Sequence, residues 1–345
     1  IYEQAPAFAR VGASIQLTPN AIKALRGLGL EDRMRRVSFA PEVGFNRVWD
    51  TGEITYLHPM GRQIEERYGA PDLSMHRAEL HAALESCLAD GTIEFGRTVV
   101  GLDRVPSGIE LRFANGDRVV ADAVIGADGM HSIMRGTLVG AESPRFTGQV
   151  AYRTVYRSEL IGRAIDDRVK WWGVGRHIVS YKIDPRRDEV YFIASTPEPD
   201  FRTESWTAMG DKSQLLAAYE GFHADARALL AGAPDVRKWA LLERDPIPTW
   251  TAERMIVIGD AAHPMLPHMA QGAGSSIEDA VVLARCLAEV DADGVDEAFR
   301  RCELNRRERT TRFVMGTRDH QWMKTKEATP TDWVYAYDPW GVVLE

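Results

Sequence analysis

Two histidines, an aspartate and a glycine turn share one short run, MIVIGDAAHPMLPHMAQGAGSSIEDA, Met255 to Ala280. Its apolar start predicts a buried strand, so Asp260 falls at the carboxyl edge of a sheet. Open α/β folds bind ligands there, and a carboxylate can accept hydrogen bonds from sugar or sugar-alcohol hydroxyls. Ser275 and Glu278 have capping-box spacing, which predicts a helix starting near Ile277. The preceding MAQGAG turn then offers backbone N–H groups, with a positive helix end behind them, to negative charge on a ligand. His268 stands just before that turn and is a candidate general base. His263 reads as a loop histidine that satisfies a carbonyl.

A second junction of the same kind is DAVIGADGMHSIMR. Its strand ends at Asp128-Gly129, and the helix opening carries Ser132 and Arg135, types that bind phosphate or ribose. The plainer reading of Arg135 is a helix surface charge. Near the start, Glu3 of IYEQ fits the acidic residue that binds an adenosine ribose about 20 residues after a GxGxxG turn. No GxGxxG precedes it in this sequence, which opens at Ile1. In RHIVSYKIDPRRDEVYFIAS, a hairpin turning at DPRRD, period two puts His177, Val179, Tyr181 and Ile183 on one strand face. Trp171 and Trp172 read as packing, and NRRERTTR near 305 as a solvated helix face.

These residues need elements to hold them. TPNAIKALRGLGL predicts a helix, with Thr18 before Pro19 as its start, Ile22, Leu25 and Leu28 at helical spacing, and Gly29 as its stop. HRAELHAALESCLAD predicts another, with Leu80, Ala83, Leu84 and Cys87 on one face. A hairpin turns at Asn115-Gly116, and a buried strand follows at Ala123 to Gly126. Strands and helices alternate at both ends around a β-rich middle. The expected fold is mixed α/β (α+β), a Rossmann-like nucleotide-binding domain with an inserted sheet domain. The division is 1–40, 72–147 and 245–315 for the first domain, 41–71 and 148–244 for the sheet domain, and 316–345 for a tail.

Composition narrows the partners. A net charge of −8 without a Lys/Arg block argues against nucleic acid, and no long apolar run suggests a membrane span. Three scattered cysteines form no CxxC or Cys/His cluster, so no metal site is expected. With no signal-peptide pattern in the first residues, the expected location is the cytoplasm, as a monomer or homodimer.

The runs YEQAPAFARVGASIQLTPNAIKALRGLGL, MHRAEL, IGADGMHSIMR and IGDAAHPMLPHMAQGAGSSIEDA together resemble the FAD-dependent aromatic hydroxylases of the para-hydroxybenzoate hydroxylase fold. VKWW, RHIVSY, RDEVYF and DWVYAYDPWG are most similar to the 6-hydroxynicotinate 3-monooxygenase branch, with the salicylate hydroxylases as broader relatives. The resemblance implies FAD as cofactor, NADH or NADPH as co-substrate, and O2 and a small aromatic carboxylate as substrates. It places Glu3 on the FAD ribose, Arg77 beside the flavin and its phosphates, and Asp128 in the motif serving FAD and pyridine nucleotide. Asp260 goes to the ribitol and pyrophosphate end and Pro267 against the isoalloxazine. Gln271, Gly272, Ala273 and Gly274 offer N–H groups to the flavin. His177, Tyr181, His268 and Gln16 line the substrate pocket, the first three as catalytic groups. The implied reaction is hydroxylation at a carboxyl-bearing carbon with loss of CO2, from 6-hydroxynicotinate to 2,5-dihydroxypyridine, or a salicylate-type hydroxylation. The chain departs from the pattern in three places, carrying Gln16 for an expected His, Ser14 for Gly and Arg168 for Cys. A Gln can hydrogen-bond a hydroxyl or carboxylate but is no base near pH 7. Two rival readings follow, a flavin-dependent dehydrogenase or reductase that needs no base, and a flavin-binding-defective fragment without activity.

Overall fold

The computed structural model describes residues 1–8, 13–184, 186–201, 208–319 and 331–345. The alternating middle of the chain builds a seven-stranded sheet in the order Arg237–Glu243, Arg145–Arg157, Glu189–Pro197, Arg176–Asp184, Arg168–Gly173, Val43–Val48 and Ile54–Pro59. Neighbours are antiparallel except for Arg168–Gly173 against Val43–Val48, a strand contributed from far upstream. One face carries Tyr152, Tyr156, Trp171, Ile178 and Phe192 and buries them against Leu215, Leu229 and Leu230 of the helices Lys212–Ala218 and Ala224–Gly232. Period two sends His177, Val179, Tyr181 and Ile183 to the other face, as the hairpin pattern predicts. Pro185, within the DPRRD turn, lies outside the described residues.

A two-stranded ribbon, Ser14–Leu17 paired antiparallel with Leu73–His76, meets that second face. Leu17, Leu73 and Met75 turn the other way and bury against Ile22 and Leu25 of the helix Pro19–Gly27 and Leu80 and Ala83 of the helix Arg77–Glu85. The first helix stops as expected. Gly29 takes φ +73°, and the Leu30 N–H reaches back to the Leu25 carbonyl, 3.0 Å, so left-handed backbone closes the last turn. Leu28, expected on its apolar stripe, is exposed at this closing turn, and Cys87 lies exposed beyond the second helix.

Two short parallel pairs carry the strand-to-loop junctions. Tyr2–Glu3 pairs with Glu94–Phe95, and Val124–Gly126 with Met255–Val257. The strand expected to be buried at 123–126 is half open, with Ile125 exposed, because only one of its edges is paired among the described residues. The hairpin Gly108–Phe113 to Arg118–Ala121 turns at Asn115-Gly116, with Gly116 at φ +91°. Along the chain's end, the helix Val295–Asp319 packs on the helix Gly272–Leu287. Residues 331–345 return to the first helix, where the Trp340 Nε1–H donates to the Ala24 carbonyl, 2.9 Å. The stretch 320–330 of the expected tail lies outside the described residues. No helix among the described residues is long and apolar enough to cross a membrane.

Candidate active site

Asp260 follows the strand Met255–Val257, and Gly259 makes the turn at φ +60°. Its carboxylate accepts no hydrogen bond from a described residue and opens to the surface. Surrounding protein nevertheless desolvates it enough to raise its pKa, against the opposing charges of His263 and Arg77. Such a group gains from a donor that a ligand brings. Arg77 is exposed and touches His81 through Nε, 3.2 Å, while Glu3 faces the same imidazole and accepts the Ala5 N–H at 2.7 Å. Asp128 leaves the neighbouring parallel strand on the same sheet edge. Its carboxylate accepts from the Ser132 hydroxyl at 2.5 Å and from the N–H of Ile133 at 2.8 Å, so it caps the helix Ile133–Val139.

The helix expected near Ile277 starts at Gly272. Ser275 and Glu278 form no capping box because both are turned inward. Arg306 donates to the Ser275 hydroxyl, 3.2 Å, and Glu278 takes Asn20, Arg306 and Arg309 at 2.6, 2.7 and 2.9 Å. The glycine-rich first turn is held from outside. Gln271 donates to the Thr18 hydroxyl, 2.9 Å, and accepts from Asn20, 3.0 Å. A Cβ on Gly274 would meet the Ala21 Cβ at 3.4 Å, so the close approach of two helices favours glycine there. Gly272, Ala273 and Gly274 therefore present first-turn N–H groups, which an α-helix leaves without intrahelical partners.

Behind this loop sits a buried ionic network. The Asp279 carboxylate takes the Gly259 N–H at 3.0 Å, His263 Nε2 at 2.5 Å and Arg306 Nε at 2.8 Å. His263 thus serves a carboxylate and not a loop carbonyl. Burial alone raises Asp279 and Glu278, but the cations facing them outweigh it and hold both below the usual carboxylate range. NRRERTTR is solvated on one side only, where Arg307, Glu308 and Arg312 are exposed, while Arg306 is fully buried and Arg309 nearly so. Arg135 also proves to be internal. It pairs with Glu142 at 2.5 Å and donates to the carbonyls of Ala262, 3.0 Å, and Asp245, 2.7 Å, tying one strand-end loop to the other.

Pro267 is exposed at the head of the turn Pro267–Met269, and His268 is buried behind it. His268 Nδ1 meets the Thr317 carbonyl at 3.0 Å. A carbonyl only accepts, so in the neutral ring Nδ1 carries the hydrogen and Nε2 the lone pair. The His268 ring packs edge-on against His177, centroids 5.2 Å apart, which joins the flavin-type loop to the large sheet. Trp172 lies beside His177 on this face, 5.4 Å between rings, whereas Trp171 belongs to the opposite core. Both tryptophans pack, Trp171 in the helix-covered core and Trp172 against His177.

Between ribbon and sheet runs a polar seam. Ser14 Oγ and Tyr181 Oη are 2.5 Å apart. His76 Nε2 meets Glu189 Oε2 at 2.6 Å, and Arg168 binds Asp72 through two nitrogens, 3.1 and 2.6 Å, and the Ser74 hydroxyl at 3.2 Å. Arg168 is therefore buried and already holds a carboxylate. Burial raises the Tyr181 hydroxyl far above the ordinary phenol range, reinforced by Tyr191 and opposed by Ser14. The seam leaves buried donors unmet among the described residues. Gln16 shares the Ser14 face, and its Nε2, like Arg168 Nε, is sealed from solvent without a hydrogen-bond partner among the described residues. Ser14, Asp72, Trp172 and the buried Arg153, stacked 4.4 Å above the Trp239 ring, carried no motif that spacing could reveal. Only the alternation of Arg153 within AYRTVYR points it to this face.

A family profile described as FAD binding domain matches residues 3–317. The chain is 40% identical to 6-hydroxynicotinate 3-monooxygenase of Bordetella bronchiseptica, covering 100% of this chain and 90% of that protein. It is 30% identical to salicylate hydroxylase of Pseudomonas putida, over 98% and 86% of the two chains. The solved 2,6-dihydroxypyridine-3-hydroxylase of Arthrobacter nicotinovorans superposes with a TM-score of 0.79 at 18% identity, covering 100% of this chain and 90% of that one, and shares its fold.

Proposed function

Because the chain belongs to the FAD-binding aromatic monooxygenase family, we propose that it hydroxylates 6-hydroxynicotinate with loss of CO2, giving 2,5-dihydroxypyridine with NADH as reductant and O2 as oxidant. The observation that carries this reading is the contact of His177 with His268. It brings a row of imidazole, indole and phenol on the sheet against the loop between Asp260 and the helix start at Gly272. The residues fit FAD. Asp260 has a carboxylate without a protein donor, suited to ribitol hydroxyls, and Gly272, Ala273 and Gly274 have first-turn N–H groups suited to negative charge. Glu3 and Arg77 would serve the ribose and phosphates, and Pro267 would border the ring system. Bound FAD supplies the electron transfer from NADH and the activation of O2.

The chain's own groups then manage one proton and the water. His268 Nε2, with Nδ1 fixed by Thr317, accepts the proton of the substrate hydroxyl and so enriches the ring for attack. Tyr181 keeps its own proton, because burial disfavours the phenolate, and acts as a hydrogen-bonding group positioned by Ser14. His177 and Trp172 close the pocket's side and exclude water. The decisive assay is NADH oxidation that requires 6-hydroxynicotinate and yields dihydroxypyridine in matching amount, on protein that retains a perturbed flavin band after desalting. Peroxide release alone with every aromatic acid would sink the reading. Full turnover by His268→Gln would favour a dehydrogenase or reductase.

A further inference from the structure

The segment 331–345 is held by its backbone. Lys23 of the helix Pro19–Gly27 donates to the carbonyls of Tyr335, 3.0 Å, and Ala336, 3.1 Å, and Arg285 of Gly272–Leu287 to that of Pro339, 2.7 Å. Arg309 of Val295–Asp319 donates to Trp333 and, at 3.0 Å, to Val334. The short helix Asp332–Tyr335 leaves its last carbonyls without intrahelical donors, and cations suit a helix C-terminus. Trp340 adds its bond to the Ala24 carbonyl and lies so close to Gly27 that a Cβ there would clash with the indole. The segment thus ties together Pro19–Gly27 and Val295–Asp319, the two helices that pack on Gly272–Leu287.

Arg309 carries that grip inward. Its Nε and Nη2 donate to the buried Glu278 carboxylate at 2.9 and 3.0 Å, and its guanidinium lies 4.0 Å from the Tyr337 ring centroid. Glu278 also accepts from Asn20 Nδ2, 2.6 Å, and the same Nδ2 donates to Gln271 Oε1, 3.0 Å. Gln271 is the N-cap residue of Gly272–Leu287, where the first turn with its unpartnered N–H groups begins. We propose that Arg309 is a positioning residue of the flavin site: held by the Trp333 and Val334 carbonyls, it fixes Glu278 and Asn20, and through them Gln271 and the aim of the first-turn N–H groups. This rests on the FAD reading given above. Charge alone does not explain Arg309, because Arg306 already faces Glu278 at 2.7 Å. What Arg309 adds is direction. A planar fork can give two N–H groups to one carboxylate and turn others to the carbonyls, which a flexible ammonium cannot match. Without the fork, Glu278 follows Arg306, and Asn20 loses the acceptor that aims it.

The test is a double-mutant cycle on the full chain with FAD. Arg309→Met removes the fork and keeps bulk, and Trp340→Ala releases the segment from Ala24 and Gly27; the third member combines them. FAD affinity is read by fluorescence titration and the flavin midpoint potential by redox titration, while urea unfolding of the FAD-free chain reports stability separately. Each single change should weaken FAD binding about 2–30-fold and lower the potential, since misaimed N–H groups favour the anionic reduced ring less. The double variant should bind FAD no more weakly than Arg309→Met, because the same path cannot be cut twice. Arg309→Lys keeps the charge without the fork; it should share the loss of FAD affinity, and it carries the cycle should the Met variant not fold. Lower stability with FAD affinity and potential unchanged would make Arg309 a structural residue and overturn the proposal. Fully additive losses would separate Arg309 from the segment and overturn it as well, as would undiminished FAD affinity in Arg309→Lys. If the unmodified chain retains no FAD under the same conditions, the flavin reading itself falls, and this inference with it.

Discussion

The loop from Gly259 to Gly274 and the seam between ribbon and sheet are both built from buried polar groups, yet they are finished differently. Behind the loop, Glu278, Asp279, Arg306 and Arg309 neutralise one another, and Asp279 also fixes the Gly259 N–H and His263. Left over are the exposed Asp260 carboxylate and the first-turn N–H groups, together with the buried His263 Nδ1 and Arg306 Nη1, which meet no hydrogen-bond partner among the described residues. In the seam, Arg168 pairs with Asp72 and Ser14 with Tyr181, while Arg168 Nε and Gln16 Nε2 are buried without a partner among the described residues. Both regions therefore keep buried polar atoms unmet among the described residues. The two regions differ in what backs them, carboxylates and guanidiniums behind the loop, and in the seam one buried Arg–Asp pair beside hydroxyl and imidazole contacts.

The largest effect should come from the residue that joins the two regions. His268→Gln removes the basic nitrogen while leaving a side chain near the Thr317 carbonyl, so kcat for 6-hydroxynicotinate should fall about 10²–10⁴-fold, with FAD binding intact. Steady-state kinetics beside a flavin titration check this, and lost FAD affinity would move His268 from the chemistry to the support. Asp279→Ala comes next. Breaking a buried pair leaves Arg306 short of an anion, and the unfolding free energy should drop by about 3–5 kcal/mol, read by urea denaturation. Its pH dependence has a definite sign. Asp279 and Glu278 are depressed in the folded state, so their contribution is full above the unfolded carboxylate range of about 4 and is lost as pH falls through the lower folded values. The acid limb of the stability curve should therefore be steep in the unmodified chain and shallower in Asp279→Ala.

Asp260→Ala should act the other way round. It breaks no hydrogen bond to a described residue and removes a carboxylate whose desolvation outweighs the attraction of His263 and Arg77, so stability of the FAD-free chain should hold or rise slightly. FAD should bind about 10–100-fold more weakly, because the lost hydrogen bonds are to a charged group. A fluorescence titration decides it, and unchanged FAD affinity would remove Asp260 from the cofactor site.

Which parts of this the sequence disclosed follows from the same contrast. The strand ending at Asp260, the Asn115-Gly116 turn, the Gly29 stop and the shared face of His177 and Tyr181 are local patterns, set by short-range periodicity and glycine backbone freedom. The helix start was missed because SxxE spacing says nothing of an arginine far along the chain that draws Ser275 and Glu278 inward. The buried state of Arg306 was hidden likewise, since a charge run looks alike whether its partners are water or carboxylates. Arg168 could be seen as a departure from a pattern, but its Asp72 partner lies 96 positions away, and only the sheet brings them together.

The seam offers the smallest effect and the sharpest check on the difference between the regions. Ser14→Ala removes one hydroxyl from a bond with Tyr181, 2.5 Å long and made across 167 positions of chain. The cost to stability should be only about 1 kcal/mol, since Tyr181 loses one partner and keeps its ring contact with Tyr191, 5.1 Å between centroids. The effect on turnover should exceed the effect on stability, because the phenol loses the contact that aims it. A several-fold drop in kcat/KM at nearly unchanged unfolding free energy is therefore expected. Were both to fall in proportion, Ser14 would belong to the support.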